Sequence, residues 1–201
     1  MPDSEARVAG IVLAAGSSTR MGRNKMLLEL EGEPLVRRAV RAALSASVGP
    51  VLVVVGHEAA RVSEAVADLP CSVVLNPDHA QGARVSLQVG VRAVPEEARA
   101  AVVVLGDMPF VTGAMIRGIV ERYREGLPRL VVSRYGSVTA PPTLFDRSLF
   151  PELLEMTGEE CGKQVVRAHQ HEAARCVWRD KAVADVDVAE DYERLLDDSL
   201  D

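Results

Sequence analysis

The sequence predicts an α/β fold, a single Rossmann-like domain of three layers with a mostly parallel sheet. Five short apolar runs rich in β-branched residues are typical of strands covered on both faces, and they lie at 8–14, 51–55, 72–75, 101–105 and 130–133. Segments with helical periodicity separate these runs, and such alternation is typical of parallel sheets with helices on both sides. The 201 residues fit one domain of ordinary size, so we expect a single domain over residues 1–201.

The segments between the runs provide the helices. Pro34 is suited to the first position of a helix, and apolar residues recur at helical spacing from 35 to 44. Thr112 is a good N-cap for another helix, whose predicted buried face consists of Met115, Ile116, Ile119, Val120 and Tyr123. Residues 85–91 alternate between apolar and polar, which alone favours a strand; we predict a helix because parallel strands need a crossover. Beyond Arg134 we expect prolines, short strands and two or three helices.

Composition and charge exclude several classes of protein. The net charge is -6, and residues 181–201, with two basic and eight acidic residues, account for all of it. We expect an acidic C-terminal helix there and no binding of nucleic acid, because no basic face is evident. The apolar runs are far shorter than the ~18 residues of a membrane span. No secretion signal is recognisable, so we expect a cytoplasmic protein. Cys71, Cys161 and Cys176 are far apart, which argues against disulfides and zinc.

The loop after the first predicted strand has the composition of a polyphosphate-binding loop. Ligands of such sheets bind beyond the carboxyl ends of the strands. Small residues at 14–18 allow backbone N–H groups to approach an anion closely, and Arg20, Arg23 and Lys25 add three positive charges. The Walker A and dinucleotide-binding patterns both fail here. The alternative interpretation is a flexible turn with a solvated basic face.

A lone carboxylate follows the run at 101–105. Asp107 comes directly after Gly106, at the end of the sheet where ligands bind. Magnesium is usually coordinated by one or two protein carboxylates together with substrate phosphates. If this loop is considered alone, Asp107 is equally well explained as a turn residue whose side chain accepts hydrogen bonds from the next backbone N–H groups. Because a phosphate-binding loop accompanies it, we favour magnesium.

These two loops together resemble a known family. Leu-Ala-Ala-Gly-x-Ser-x-Arg-Met-Gly-x-x-Lys ends at Lys25, and Leu-Gly-Asp-Met-Pro begins at Leu105. The chain resembles molybdenum cofactor cytidylyltransferases, which have the nucleotidyltransferase A fold of the nucleotide-diphospho-sugar transferase type. Further matches are Gly-His-Glu at 56–58 and Asn-Pro-x-x-Ala-x-Gly-x-x-x-Ser-Leu at 76–87. The resemblance covers nearly the whole chain.

The resemblance implies a reaction and a set of roles. Those enzymes use CTP and molybdopterin-bound molybdenum to make a cytosine dinucleotide cofactor and pyrophosphate, with magnesium as cofactor. It implies a nucleotide-binding half at 1–110, an acceptor half with the C-terminal helix at 111–201, and a molybdoenzyme or its maturation factor as protein partner. The implied catalytic residues are Arg20, Lys25 and Asp107, and the implied metal ligands are Asp107 and Asp187. The implied nucleotide-binding residues are Leu13, Ala14, Ala15, Gly16, Ser17, Arg20, Lys25, Asn76, Gly82 and Ser86.

Two segments depart from the family. Residues 138–142 replace its Arg-Gly-x-Pro stretch, and residues 158–163 replace its Gly-Asp-x-Gly-Ala-Arg stretch. Both belong to the implied acceptor half, so the acceptor is the least determined part of the reaction. A transferase of the same fold that acts on a sugar or polyol phosphate and a non-catalytic nucleotide-binding module remain as alternatives. For His79 two interpretations remain: it contacts the ligand, or it is an exposed side chain without a role.

Overall fold

The computed structural model describes residues 7–17, 23–158 and 160–179. Strands and helices alternate along the first half of this part of the chain. The strands are β1 (Val8–Ala14), β2 (Glu29–Leu30), β3 (Glu33–Pro34), β4 (Val51–Val55), β5 (Ser72–Leu75), β6 (Ala100–Leu105), β7 (Leu130–Tyr135), β8 (Val138–Asp146) and β9 (Ala174–Trp178). The α-helices are α1 (Leu35–Ser45), α2 (Ala59–Glu64), α3 (Ala83–Arg92), α4 (Gly113–Gly126), α5 (Phe150–Glu155) and α6 (Lys163–His169).

A seven-stranded sheet forms the middle layer of the described structure, with β2 and β3 paired apart from it. Its order is β5-β4-β1-β6-β8-β7-β9. Strands β5, β4, β1 and β6 run parallel to one another, as β9 does to β7, whereas β8 runs antiparallel to both β6 and β7. The predicted α/β fold with a mostly parallel sheet is therefore confirmed.

The two faces of the sheet carry separate apolar cores. Val12 and Ala14 of β1 pack in the core that includes buried residues of α1 and α4. Ile11 and Leu13 of the same strand point into the opposite core, with buried residues of α3, α5 and α6. This period of two is the ordinary consequence of strand geometry. It explains why the central runs are apolar at every position.

Helix α3 is the crossover that the alternating pattern had left ambiguous. Leu87 and Val91 are buried, while Val85 and Val89 are half-buried on other sides of the helix. Gly90 lies where α3 crosses β1, and a Cβ atom at this position would stand 2.7 Å from Cγ2 of Ile11. The helix is thus in direct contact with the central strand.

The start of α1 and the burial of β5 differ from the prediction, whereas the N-cap of α4 agrees with it. Helix α1 begins at Leu35, and Pro34 ends β3 instead of opening the helix. Strand β5 is not covered on both faces: Val73 and Leu75 are 43% and 59% exposed because β5 lies at the edge of the sheet. Thr112 is the N-cap of α4 as predicted, and its Oγ1 accepts a hydrogen bond from the backbone N–H of Met115 at 3.3 Å.

The second half of the described chain adds the antiparallel strand β8 and the short helices α5 and α6 to the sheet. Trp178 of β9 packs against the core and donates from Nε1 to Oγ of Ser133 at 2.9 Å. The cysteines Cys71, Cys161 and Cys176 are free and partly exposed. No helix in the described ranges is long and apolar enough to cross a bilayer. The acidic C-terminal helix predicted at 181–201 lies outside the described residues.

Candidate active site

The predicted loops meet at one end of the parallel strands. Beyond β1, β5 and β6 lies a cavity of about 270 Å³. It is lined by residues of the first loop, of the 310 turn at Lys25–Leu27, of the start of α3 and of the end of β6. Its lining includes the predicted site residues Leu13, Ala15, Gly16, Ser17, Lys25, Gly82, Ser86 and Asp107.

The other predicted residues fall into two groups. Ala14 is fully buried with its side chain in the core, and Asn76 is fully buried beneath the cavity. Arg20 and Asp187 lie outside the described residues. The structure therefore brings together the loop, the lysine and the aspartate, and it places Asn76 one layer behind the cavity wall.

Lys25 and Asp107 form an ion pair in the lining of the cavity. The Lys25 ammonium contacts Oδ2 of Asp107, and the two side chains are only 15% and 11% exposed. The backbone before Asp107 is tight, since a Cβ at Gly106 would stand 2.8 Å from Sδ of Met26 and 3.1 Å from the carbonyl oxygen of Leu13. Glycine at 106 thus lets β6 end against the first loop, which places the carboxylate beside the lysine.

Asn24 fixes the position of Lys25. Its Oδ1 accepts from the backbone N–H of Met26 at 3.1 Å, and its Nδ2 donates to the carbonyl of His57 at 3.3 Å. The N–H of His57 in turn donates to the carbonyl of Ala15 at 3.3 Å. Asn24 is 4% exposed, so these bonds form in a region shielded from water. They tie the first loop, the loop after β4 and the lysine-bearing turn into one unit.

The start of α3 forms the opposite wall. Gly82 is the N-cap and offers no side chain, so the N–H groups of the first turn keep no side-chain acceptor. Such a helix end favours anions. Nδ2 of Asn76 donates to Oγ of Ser86 at 3.0 Å, and Oδ1 of Asn76 accepts from the N–H of Asp78 at 3.0 Å. Asn76 is therefore placed to orient Ser86 towards the cavity.

The donor set suits a divalent cation that is shared with phosphates. Asp107 is the one carboxylate that lines the cavity among the described residues, and these contain no group of three or more potential ligands from histidine, cysteine and acidic side chains. Magnesium needs few protein ligands when phosphates and waters complete its shell. The contact with an ammonium shows that Asp107 accepts a cation in this position. Asp107 would thus hold magnesium as a single protein ligand of the described site.

Two histidines stand beside the cavity. The ring centroids of His57 and His79 are 6.1 Å apart, and His79 lines the cavity. Nδ1 of His79 is buried and has no hydrogen-bond partner among the described residues. The sequence left His79 open, and the structure places it in the wall of the cavity.

Comparison with known proteins finds relatives over most of the chain. The model of the MobA-like NTP transferase domain matches residues 10–174. Bifunctional protein GlmU of Kineococcus radiotolerans is 35% identical over 145 residues, which are 70% of this chain and 29% of GlmU. Purine catabolism protein PucB of Bacillus subtilis is 28% identical over 196 residues, 92% of this chain and 94% of PucB. The chain thus spans less than a third of GlmU but nearly all of PucB.

Solved structures agree with the fold. The crystal structure of Rv0371c from Mycobacterium tuberculosis is 29% identical, with a TM-score of 0.85, over 96% of this chain and 100% of that one. A complex of Rv0371c with manganese gives 29% identity and a TM-score of 0.82, over 95% of this chain and 98% of that one. The likeness extends over both halves of the predicted domain.

Proposed function

Because this chain belongs to the family of MobA-like NTP transferase domains, we propose that it transfers the nucleotide of CTP to a phosphorylated acceptor, with molybdopterin as the first acceptor to test. Nucleotidyl transfer is the activity of the family. The choice of CTP rests on the Ala-Ala-Gly form of the first loop at 14–16 and on the resemblance to molybdenum cofactor cytidylyltransferases. The observation that supports the reaction best is the pairing of Lys25 with Asp107 in the lining of this cavity.

The nucleotide occupies the cavity with its phosphates among the positive groups. Gly16 and Ser17 of the first loop, the first turn of α3 and Lys25 line the same space, and the two loop residues contribute backbone N–H groups there. All of them favour an anion. Arg20 joins them by resemblance. Ser86, oriented by Asn76, is left to contact the base or the ribose.

Asp107 would hold a divalent cation at this site. When bound, such an ion would supply neutralising charge for the triphosphate and for the attacking group. The Lys25 ammonium pairs with the phosphates in the nucleotide complex, because a triphosphate offers it more negative charge than one carboxylate does. An acceptor phosphate oxygen attacks the α-phosphorus, the bond to the β-phosphate breaks, and pyrophosphate departs. Since both reactants are anions, positioning and charge neutralisation carry most of the catalysis. The manganese complex of Rv0371c supports a divalent cation in this fold.

Pyrophosphate release tests the proposal directly. The protein is incubated with magnesium, each of the four ribonucleoside triphosphates and either molybdopterin, a sugar phosphate or a polyol phosphate. We expect release with CTP and molybdopterin, and calorimetric titration should give tighter binding of CTP than of GTP. A clear preference for GTP would overturn the choice of nucleotide. Binding of CTP without release in any mixture would favour the non-catalytic module.

A further inference from the structure

Helix α3 contacts the second half of the chain as well as the nucleotide cavity. Ala83, in its first turn, and Ser86 line that cavity. Two polar side chains of the same helix, Arg84 and Gln88, instead form hydrogen bonds with the end of α5 and the residues that follow it. One rigid element is therefore shared between the nucleotide site and the second half.

The end of α5 is held by the side chain of Gln88. Its Nε2 lies within hydrogen-bond distance of three backbone carbonyls, those of Leu153 at 3.3 Å, Leu154 at 2.9 Å and Met156 at 3.2 Å. The end of a helix leaves such carbonyls without intrahelical donors. Because Gln88 is 6% exposed, it satisfies them away from water. Residues 153–158 are called the α5 tail below.

Arg84 connects the first turn of α3 to this network. Its Nη1 donates to Oε1 of Gln88 at 3.0 Å, and its Nε donates to the carbonyl of Gly158 at 2.7 Å. Arg84 is the second residue of α3, so its backbone belongs to the turn that lines the nucleotide cavity. The guanidinium therefore bridges this turn and the far end of the α5 tail.

A second contact with α3 follows just before α6. A Cβ atom at Gly162 would stand 3.2 Å from Cδ2 of Leu87, so the backbone there approaches the helix closely. Gly158 and Gly162 both belong to the segment 158–163 that departs from the family. Helix α3 thus supports this segment at its first residue and again near its end.

An anion bound at the start of α3 affects how firmly Arg84 holds the tail. Helix ends fray, and a bound anion stabilises the first turn of a helix. Gly82, the N-cap, supplies no side-chain acceptor that would stabilise this turn in the free protein. When the turn frays, Arg84 loses the backbone position from which it reaches Gln88 and Gly158. Phosphate binding therefore favours the state in which the α5 tail is held.

We infer that Arg84 is a positioning residue, which couples nucleotide binding at the first turn of α3 to the order of the α5 tail. The inference rests on the proposed binding of CTP and links that site to the second half of the chain. Such coupling is reciprocal, so the held tail also favours the nucleotide. Because Arg84 is only half-buried, its bonds limit the effect to about tenfold, the low end for a hydrogen bond with a charged group.

Hydrogen–deuterium exchange of the α5 tail tests the coupling in the whole protein. The N–H of Met156 donates to the carbonyl of Glu152 at 3.0 Å, so its exchange reports the opening of the tail. Exchange is followed by mass spectrometry in the free protein and with a non-hydrolysable CTP analogue and magnesium, at concentrations that calorimetry shows to be saturating. In the wild-type protein we expect the analogue to slow exchange of the tail by about three- to tenfold.

Arg84→Met removes the donors and keeps a long side chain of similar helix propensity. We expect its tail to exchange at the same rate with and without the analogue, while the affinity for the analogue falls by no more than about tenfold. Arg92→Met, an exposed change in the last turn of the same helix, is the matched control and should keep the wild-type response. If Arg84→Met does not fold, the shorter and uncharged Arg84→Gln takes its place.

A purely structural role for Arg84 gives a different result. The tail of Arg84→Met would then exchange faster than that of the wild-type protein but would still be slowed by the analogue, and this outcome would overturn the inference. A wild-type tail whose exchange the bound analogue leaves unchanged would overturn it as well. Absence of calorimetric binding of the analogue to the wild-type protein would instead overturn the proposed function.

Discussion

Replacing Asp107 by asparagine removes one charge from the centre of the proposed site. Asparagine keeps the size and the hydrogen-bonding reach of the side chain, so the tight turn at Gly106 is preserved. The Lys25 ammonium loses its carboxylate partner. Because Asp107 is the one carboxylate lining the described cavity, no neighbouring group there can replace its charge.

The expected loss of turnover follows from the electrostatic role of the Asp107 charge in the transition state. Removal of one preorganised electrostatic contact to a transition state typically costs ~100- to 1000-fold in turnover, or about 2.7–4 kcal/mol. Nucleotide binding retains Lys25, the loop amides and the start of α3, so the affinity for CTP should change by less than about tenfold. Stability should fall by no more than the ~1.5–3 kcal/mol of one hydrogen bond to a charged group. Turnover is therefore the quantity that should respond most.

The assay follows pyrophosphate release under saturating CTP and acceptor, with CTP affinity measured in parallel by calorimetry. Asp78→Asn is the matched control, since Asp78 is an exposed aspartate in the loop after β5, and its Oδ1 accepts only a surface hydrogen bond from Gln81 at 3.0 Å. Turnover should fall at least about 100-fold for Asp107→Asn and stay near the wild-type value for the control. Raising magnesium should restore the Asp107 variant only in part. Wild-type release by Asp107→Asn, or an equal loss in both variants, would refute the metal-binding role.

Two further changes probe the site and its support. Lys25→Ala should weaken binding of CTP by roughly ten- to a hundredfold while the fold survives; an unchanged affinity in calorimetry would contradict the assignment. The protonated His169 ring donates from Nε2 to the Glu152 carboxylate at 2.7 Å and from Nδ1 to the Glu172 carboxylate at 2.5 Å. The hydrogen bond to Glu152, and after it that to Glu172, raises the pKa of His169. Its contribution to stability is fully present below about pH 6.5 and is lost as pH rises through the higher folded pKa, so the difference in Tm between the wild-type protein and His169→Gln should shrink towards alkaline pH; a constant difference would refute this.

The sequence predicted those features that depend on local pattern. Strand β4 and the buried face of α4 follow from apolar periodicity alone, and the N-cap at Thr112 follows from the chemistry of one side chain. The proximity of Lys25 and Asp107 could be predicted, because parallel strands bring the loops at their carboxyl ends together. The exposure of β5 could not be predicted, since its composition resembles that of a central strand and only the strand order of the sheet places it at an edge.

The parts of the site that escaped prediction depend on distant contacts. In the sequence, Asn24 cannot be distinguished from an ordinary loop asparagine. In the structure it connects the lysine-bearing turn to the loop after β4. The contact between His169 of α6 and Glu152 of α5 joins two helices, and no local pattern in the sequence indicates it. Residues 139–141 and 161–163 line one cavity of the described structure. The resemblance assigned both segments to the acceptor half, but only the fold could show that they meet.

The absence of a side chain at Gly90 has a consequence for how the protein tolerates mutation. Position 90 lies one helical turn after Ser86, and its contact with Ile11 sets how near α3 stands to β1. An added methyl group would push the helix away from the sheet and would lengthen the 3.0 Å bond between Asn76 and Ser86. Substrate recognition would then weaken, although the substituted residue 90 does not contact the substrate. A substitution at this buried position should therefore lower activity as well as stability.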